Sequence, residues 1–323
     1  MSATPRANLS PLPVRARIAA RAAMAMVALT LVQIAFGSLV RAHGAGLACP
    51  DWPLCFGELI PVFDFRVAYE WGHRLYAGGI SFGLVGVTVL LFLSAELRRR
   101  VAGALGAAWG LLLVQIVLGG LTVLLLLAPW TVTAHLIIGI AFCASLAWMA
   151  ADLYDVARPA ARPEAPRAGV VLALTAAVLL LAQLVLGGLV SSRFAGLACA
   201  SFPTCDGVSF VPSFSGQQGI HVLHRLTAYS LLGLYTALAL TLRGVGRAGR
   251  LAALALGLVL LQIGLGVANV LLLLPPEITA PHTLNAAALA LITVLLLREL
   301  RLARDAAWDA TPLEPAASLG ATR

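Results

Sequence analysis

The chain has 323 residues, 60% of them hydrophobic and only 11% charged, where soluble domains carry about 25% charged residues. So few charges cannot solvate a globular surface of this size, which excludes an ordinary soluble domain. The formal charge of +8 comes from 22 basic residues, all arginine, set in short gaps between apolar blocks; that is the pattern of membrane orientation, and it argues against a nucleic-acid partner.

Residues 1–21 carry Arg6, Arg15, Arg17 and Arg21 and no acid. They read as a cytoplasmic tail rather than a transit peptide, because every other inner gap is as rich in arginine. Apolar blocks follow at 22–41, 71–95, 102–127, 132–152, 169–190, 220–242, 249–274 and 281–299. Each is long enough to cross about 30 Å of hydrocarbon as a helix, and only helices satisfy the backbone of single apolar blocks in lipid. Inner gaps hold Arg98, Arg99 and Arg100, then Arg158, Arg162 and Arg167, then Arg243, Arg247 and Arg250, and finally Arg298, Arg301 and Arg304. The opposite side has only Arg41, Arg66, Arg74, Arg193 and Arg225, so both termini are expected in the cytoplasm, with the chain a multi-pass membrane protein in contact with lipid.

A proline-, alanine- and arginine-rich linker, 153–168, divides the chain, and the two sides repeat. Gly-Leu-Ala-Cys occurs at 46–49 and 196–199, and Cys49 and Cys55 recur 150 residues on as Cys199 and Cys205. Gln33 and Gly37 recur as Gln183 and Gly187 at the same shift, and His73-Arg74 recurs as His224-Arg225 at a shift of 151. Gln115 precedes His135 by 20 residues, as Gln262 precedes His282. With four spans in each half, both halves start on the same side, so the repeat is parallel. The expected fold is an all-α polytopic membrane protein: eight transmembrane helices in two parallel-repeat four-helix bundles. The expected divisions are a tail over 1–21, an N-terminal bundle over 22–152, the linker 153–168, a C-terminal bundle over 169–300 and a tail over 301–323.

Ionisable groups inside a membrane are costly and usually functional. His73 and His135 fall near the outer ends of spans 2 and 4, and His224 and His282 near those of spans 6 and 8. Each half thus offers a histidine pair from two helices, a donor set suited to axial ligation of haem iron. One such histidine would read as an interfacial residue; four at repeated positions do not. Glu70 lies three residues before His73, on the same helix face, where a carboxylate could move a proton or orient a substrate. Its repeat position holds His221, so the halves differ here, which suggests one catalytic half and one cofactor half. Arg74 and Arg225 suit carboxylates such as haem propionates, although snorkelling to the interface accounts for them as well. The outer cysteine pairs read as disulfides, Cys49–Cys55 and Cys199–Cys205, and Cys143 as a packing residue. Gln-x-x-x-Gly recurs at Gln33/Gly37, Gln115/Gly119, Gln183/Gly187 and Gln262/Gly266 and reads as close helix packing first. His43 has no repeat partner and reads as exposed.

The ordered set of motifs resembles a known family. Gly-Leu-Ala-Cys-Pro-Asp-Trp-Pro-Leu-Cys at 46–55, Glu-Trp-Gly-His-Arg at 70–74, His135, His-Val-Leu-His-Arg at 221–225 and Pro-His at 281–282 are similar to bacterial haem A synthases with a cysteine pair in both large outer loops. The resemblance spans roughly residues 20–300. It implies oxidation of the C8 methyl group of haem O to a formyl group, giving haem A for terminal oxidases. It also implies that His224 and His282 ligate a haem b cofactor through its iron, that His73 and His135 hold the substrate haem, and that Glu70 is the catalytic acid. Haem O synthase, cytochrome oxidase assembly factors and an electron donor are the implied partners, and a homo-oligomer is compatible with it. A di-haem electron carrier or a haem transporter would need the same histidines without the chemistry. Haem O synthase itself is disfavoured, because Asp152 and Asp155 are too isolated to form an aspartate-rich diphosphate site.

Overall fold

The structure is a computed structural model that describes residues 11–309. Among these residues there are eight helices: α1 (Pro11–Ala42), α2 (Phe65–Phe92), α3 (Ala95–Leu124), α4 (Pro129–Ala157), α5 (Arg167–Ser192), α6 (Gly216–Thr241), α7 (Gly246–Leu271) and α8 (Pro276–Asp309). Six of them are long and apolar enough to span a membrane. In α6, His221, His224 and Arg225 interrupt the start of the apolar run, and in α8 the run 283–297 lies between His282 and Arg298. The chain is an all-helical, polytopic membrane protein. Helices outrun their apolar blocks where polar residues continue the backbone bonding. Part of the expected N-terminal tail, from Pro11 to Arg21, is the start of α1, and residues 301–309 of the expected C-terminal tail extend α8. The remainder of those tails, 1–10 with Arg6 and 310–323, lies outside the described residues.

Local chemistry sets the helix ends. The Asp64 carboxylate caps α2 by accepting from the Val67 N–H at 2.8 Å, and Ser94 occupies the N-cap of α3, both residue types that satisfy an otherwise unpaired N–H. Pro129 opens α4, where its missing N–H costs nothing. The α3–α4 and α7–α8 turns have the same form. Leu126 and Leu127 sit at φ 51° and 59°, and Leu273 and Leu274 at 62° and 61°. Left-handed leucines are costly. Each turn is held by a backbone bond, Leu127 N–H to Thr122 O at 2.8 Å and Leu274 N–H to Asn269 O at 2.7 Å.

In the N-terminal half α1 packs on α2 and α4, and α3 packs on α2 and α4, closing a four-helix ring with α2 and α4 on a diagonal. The ring α5–α6–α7–α8 closes in the same way. The halves meet through α1–α8, α4–α5 and α4–α8. Exchanging α1 with α5 and α4 with α8 reproduces that set, so the repeat seen in sequence is a two-fold relation passing the α4–α8 contact. Toward the outer side, Ser38 and Thr283 hydroxyls lie 3.1 Å apart and those of Thr133 and Ser192 3.3 Å apart across this junction. Arg41 donates to the Ser191 carbonyl at 2.8 Å. Cys143 is a buried free thiol within the apolar core, in keeping with its sequence context.

At the end of the bundles away from the disulfide loops, where the linker lies, the junction is ionic. Arg298, 1% exposed, donates to Asp152 at 2.6 Å, to Asp155 at 2.5 Å and to Glu299 at 3.0 Å. Arg162 of the linker pairs with Asp155 and Glu299, and Arg247 of α7 stands near the same two acids. Asp152 and Glu299 are repeat equivalents, 147 residues apart. In sequence Arg298 reads as one more inner-face cation; its side chain instead points between α4 and α8.

Candidate functional site

The four histidines are built alike. A Cβ added to Gly37 of α1 would meet His73 Cε1 at 3.1 Å, and one added to Gly119 of α3 would meet His135 Cε1 at 3.3 Å. Gly187 of α5 and Gly266 of α7 stand in the same relation to His224 and His282, at 3.2 and 3.3 Å. The recurring glycine therefore seats an imidazole from the neighbouring helix: the even helices carry the histidines and the odd helices the seats. Because α2 and α4 are diagonal in one ring, and α6 and α8 in the other, each pair enters its bundle from opposite sides. His73 lies within electrostatic range of His135, and His224 of His282.

The motif glutamine, one turn before each seat, faces the same histidine in three cases. Gln33 Nε2 donates to the His73 carbonyl at 2.9 Å and stands 3.3 Å from His73 Nε2. Gln115 Nε2 stands 3.3 Å from His135 Nε2, and Gln183 Nε2 donates to the His224 carbonyl at 3.1 Å. Gln262 differs: its Oε1 accepts from Asn285 Nδ2 at 2.7 Å. Sequence reasoning finds the motif but not its partner, since the partner sits on another helix, and it misses Asn285 altogether.

Glu70 is 4% exposed and lies beneath the first outer loop. Its Oε2 accepts the Cys49 N–H at 2.8 Å, and its Oε1 pairs with Arg74 at 2.5 Å. His221 fills the equivalent place, with Nδ1 3.4 Å from Cys199 N and 3.0 Å from the Ala195 carbonyl. Glu70 thus braces the first cysteine of its loop through a carboxylate oxygen, while the single Nδ1 of His221 lies between Cys199 N and the Ala195 carbonyl and serves one of the two. The loops are closed by the disulfides Cys49–Cys55 and Cys199–Cys205. Arg74 also donates to the carbonyls of Asp51, Leu54 and Cys49, and Arg225 to those of Thr204, Cys199 and Ser201. The terminal nitrogens of both guanidinia are therefore engaged by the loops, and Arg74 also by Glu70. Asp51 braces the loop tip; the N–H of Gly57 foremost, with that of Phe56 and the charge of Arg74, holds its carboxyl below the usual range.

From this loop Trp52 lies over Gly120, beside the seat of His135: a Cβ there would come within 3.0 Å of the indole. His43, which reads in sequence as exposed, is half-buried and stacks with Tyr69 at 4.8 Å and Phe65 at 5.3 Å between ring centroids. Tyr69 meets Phe36, which meets His73 at 5.7 Å.

The donor set fits a haem on chemical grounds. The Nδ1 atoms of His73, His135, His224 and His282 are buried, with no hydrogen-bond partner. They lie on the main-chain side of each ring, which leaves Nε2 as the nitrogen a macrocycle can reach. Paired imidazoles from facing helices, with no group of three or more His, Cys, Asp or Glu gathered to hold a metal ion among the described residues, would suit the iron of a haem.

Comparison with known proteins agrees with this arrangement. The COX15-CtaA family, described as cytochrome oxidase assembly protein, matches residues 20–66 and 62–294. A heme A synthase of Shewanella oneidensis is 30% identical, over 82% of this chain and 91% of its own length. A heme A synthase of Methylobacterium sp. (strain 4-46) is 31% identical, over 86% and 92%. With the family match covering almost all of the helical region, the chain belongs to the COX15-CtaA family of cytochrome oxidase assembly proteins.

Proposed function

We propose that the protein is a haem A synthase: an oxidoreductase of the bacterial inner membrane, with both termini cytoplasmic, that oxidises the C8 methyl of haem O to a formyl group. The observation that carries the reading is the fourfold unit of glycine seat and imidazole, paired twice, in a chain similar throughout to heme A synthases. His224 and His282 would hold a haem b, and His73 and His135 the substrate haem. Bound haem iron supplies the redox capacity of the reaction.

The chain's own residues orient and enclose. The seats fix each ring plane, because a helix backbone lies against one edge of every imidazole. Trp52 and the disulfide loop cover the outer side of the His135 region. Glu70, held by Arg74 and the Cys49 N–H, is one helical turn from His73 and would accept or deliver protons beside the substrate. His221 stands where that carboxylate would be in the other half, which supports chemistry in the N-terminal half and storage in the C-terminal one.

The haem b assignment is tested by the reduced absorption spectrum of purified His224→Ala and His282→Ala proteins. Each variant should lose most of the low-spin b-type signal. A full signal in both would remove these residues as ligands.

A further inference from the structure

The two halves treat the iron-facing nitrogen of their histidines differently. In the N-terminal half a glutamine amide stands at 3.3 Å from Nε2 of both His73 and His135. With Nδ1 buried and unpartnered, and so out of a macrocycle's reach, Nε2 is the lone pair available to iron, and a glutamine N–H directed at it competes with the metal. In the C-terminal half, among the described residues, no hydrogen bond reaches Nε2 of His224 or His282; Gln183 donates to the His224 carbonyl, as Gln33 does to that of His73, but has no bond to Nε2. Asn285 binds the Gln262 side chain oxygen at 2.7 Å and also the Leu258 carbonyl at 2.9 Å, which ties it to the helix that carries Gln262.

For Gln115 and Gln262, two adjacent positions differ between the halves. The residues 147 before Asn285 and Ala286 are Ile138 and Gly139. Ile138 cannot bond to Gln115, whose Oε1 is accordingly buried and unpartnered. Gly139 leaves room for the amide: a Cβ there would come within 3.0 Å of Gln115 Nε2. In the other half Ala286 stands at the matched position, and the Gln262 side chain oxygen accepts from Asn285.

Resting on the haem-binding reading above, we propose that Gln115 is a latch that caps His135 and makes the N-terminal site release its haem readily, and that Asn285 disables the equivalent latch so that the C-terminal site retains its haem. Asn285 and Gly139 are thus positioning residues that set which half exchanges and which half stores. A cap of one hydrogen bond changes the release rate by about three- to tenfold.

The test uses the purified full-length chain in detergent, loaded with haemin, with transfer to excess apomyoglobin followed in the Soret band. Wild type should release in a fast and a slow phase, the fast one deleted by His135→Ala and the slow one by His282→Ala. Gln115→Leu and Gly139→Ala should each slow the fast phase about three- to tenfold. Asn285→Ile combined with Ala286→Gly, which restores at both matched positions what the N-terminal half has, should speed the slow phase by a similar factor, and adding Gln262→Leu to that pair should restore slow release. Damage to packing alone would speed release in every variant and would give no restoration in the triple variant. Release from Gln115→Leu as fast as wild type or faster, or a triple variant no slower than the Asn285→Ile/Ala286→Gly pair, overturns the latch. A wild-type protein that takes up no haemin overturns the haem-binding reading itself.

Discussion

Each of Gly37, Gly119, Gly187 and Gly266 is a glycine because an imidazole from the next helix occupies the place of its side chain. The histidines were legible in the sequence, since an imidazole is costly inside an apolar span and four at repeated registers point to a shared ligand. The seats were legible only as a recurring small residue: nothing along the chain says that Gly187 faces His224, 37 positions away. The same holds for Arg74 and Arg225, whose loop partners become visible only when the disulfide loops fold over them. A methyl at position 187 would stand 3.2 Å from His224 Cε1, so the ring must shift by a few tenths of an ångström. Gly187→Ala is expected to move or broaden the b-type absorption, and Gly187→Val to abolish it. Gly233→Ala is the control, since nothing lies within 4 Å of a Cβ there; it should leave the spectrum as in wild type.

The helices themselves followed from hydropathy, because a span must bury its backbone polar groups in its own hydrogen bonds. Their ends did not. Helical bonding continues past the apolar block wherever polar side chains can reach water or a partner, as at the start of α1 and the end of α8. The contact between α4 and α8 was hidden for another reason: Arg298 and Asp152 are 146 residues apart, and an arginine after the last span reads as an orientation signal. Its 1% exposure and three acidic partners make it a buried ion-pair network. Removing one member of such a network leaves uncompensated charge, at a cost of about 3–5 kcal/mol. Arg298→Met should therefore lower the thermal denaturation midpoint of the detergent-solubilised protein clearly. Arg301→Met should not, since Arg301 is 65% exposed and its pairing with Asp305, at 3.8 Å, is a surface one. Equal midpoints for the two variants would show that the inner junction contributes nothing.

At the scale of the whole molecule, the sequence repeat became a two-fold relation between two rings of four helices, and the departures from that symmetry are where the proposed chemistry is placed. Glu70 against His221, and Ile138-Gly139 against Asn285-Ala286, are exchanges at matched positions within a shared scaffold. The first was visible in sequence because both residues are ionisable; the second was not, because an isoleucine matched to an asparagine in the repeat carries no signal until the neighbouring glutamine is seen. The central claim, that this scaffold turns haem O into haem A with Glu70 in the N-terminal half, is tested most directly by extracting and chromatographing the haems of cells that make haem O and carry either the wild-type chain or Glu70→Gln. Wild type should yield haem A. Glu70→Gln should keep its b-type spectrum, form little haem A and accumulate haem O or a partly oxidised product. No haem A from the wild-type chain, or as much from Glu70→Gln as from wild type, would contradict the account.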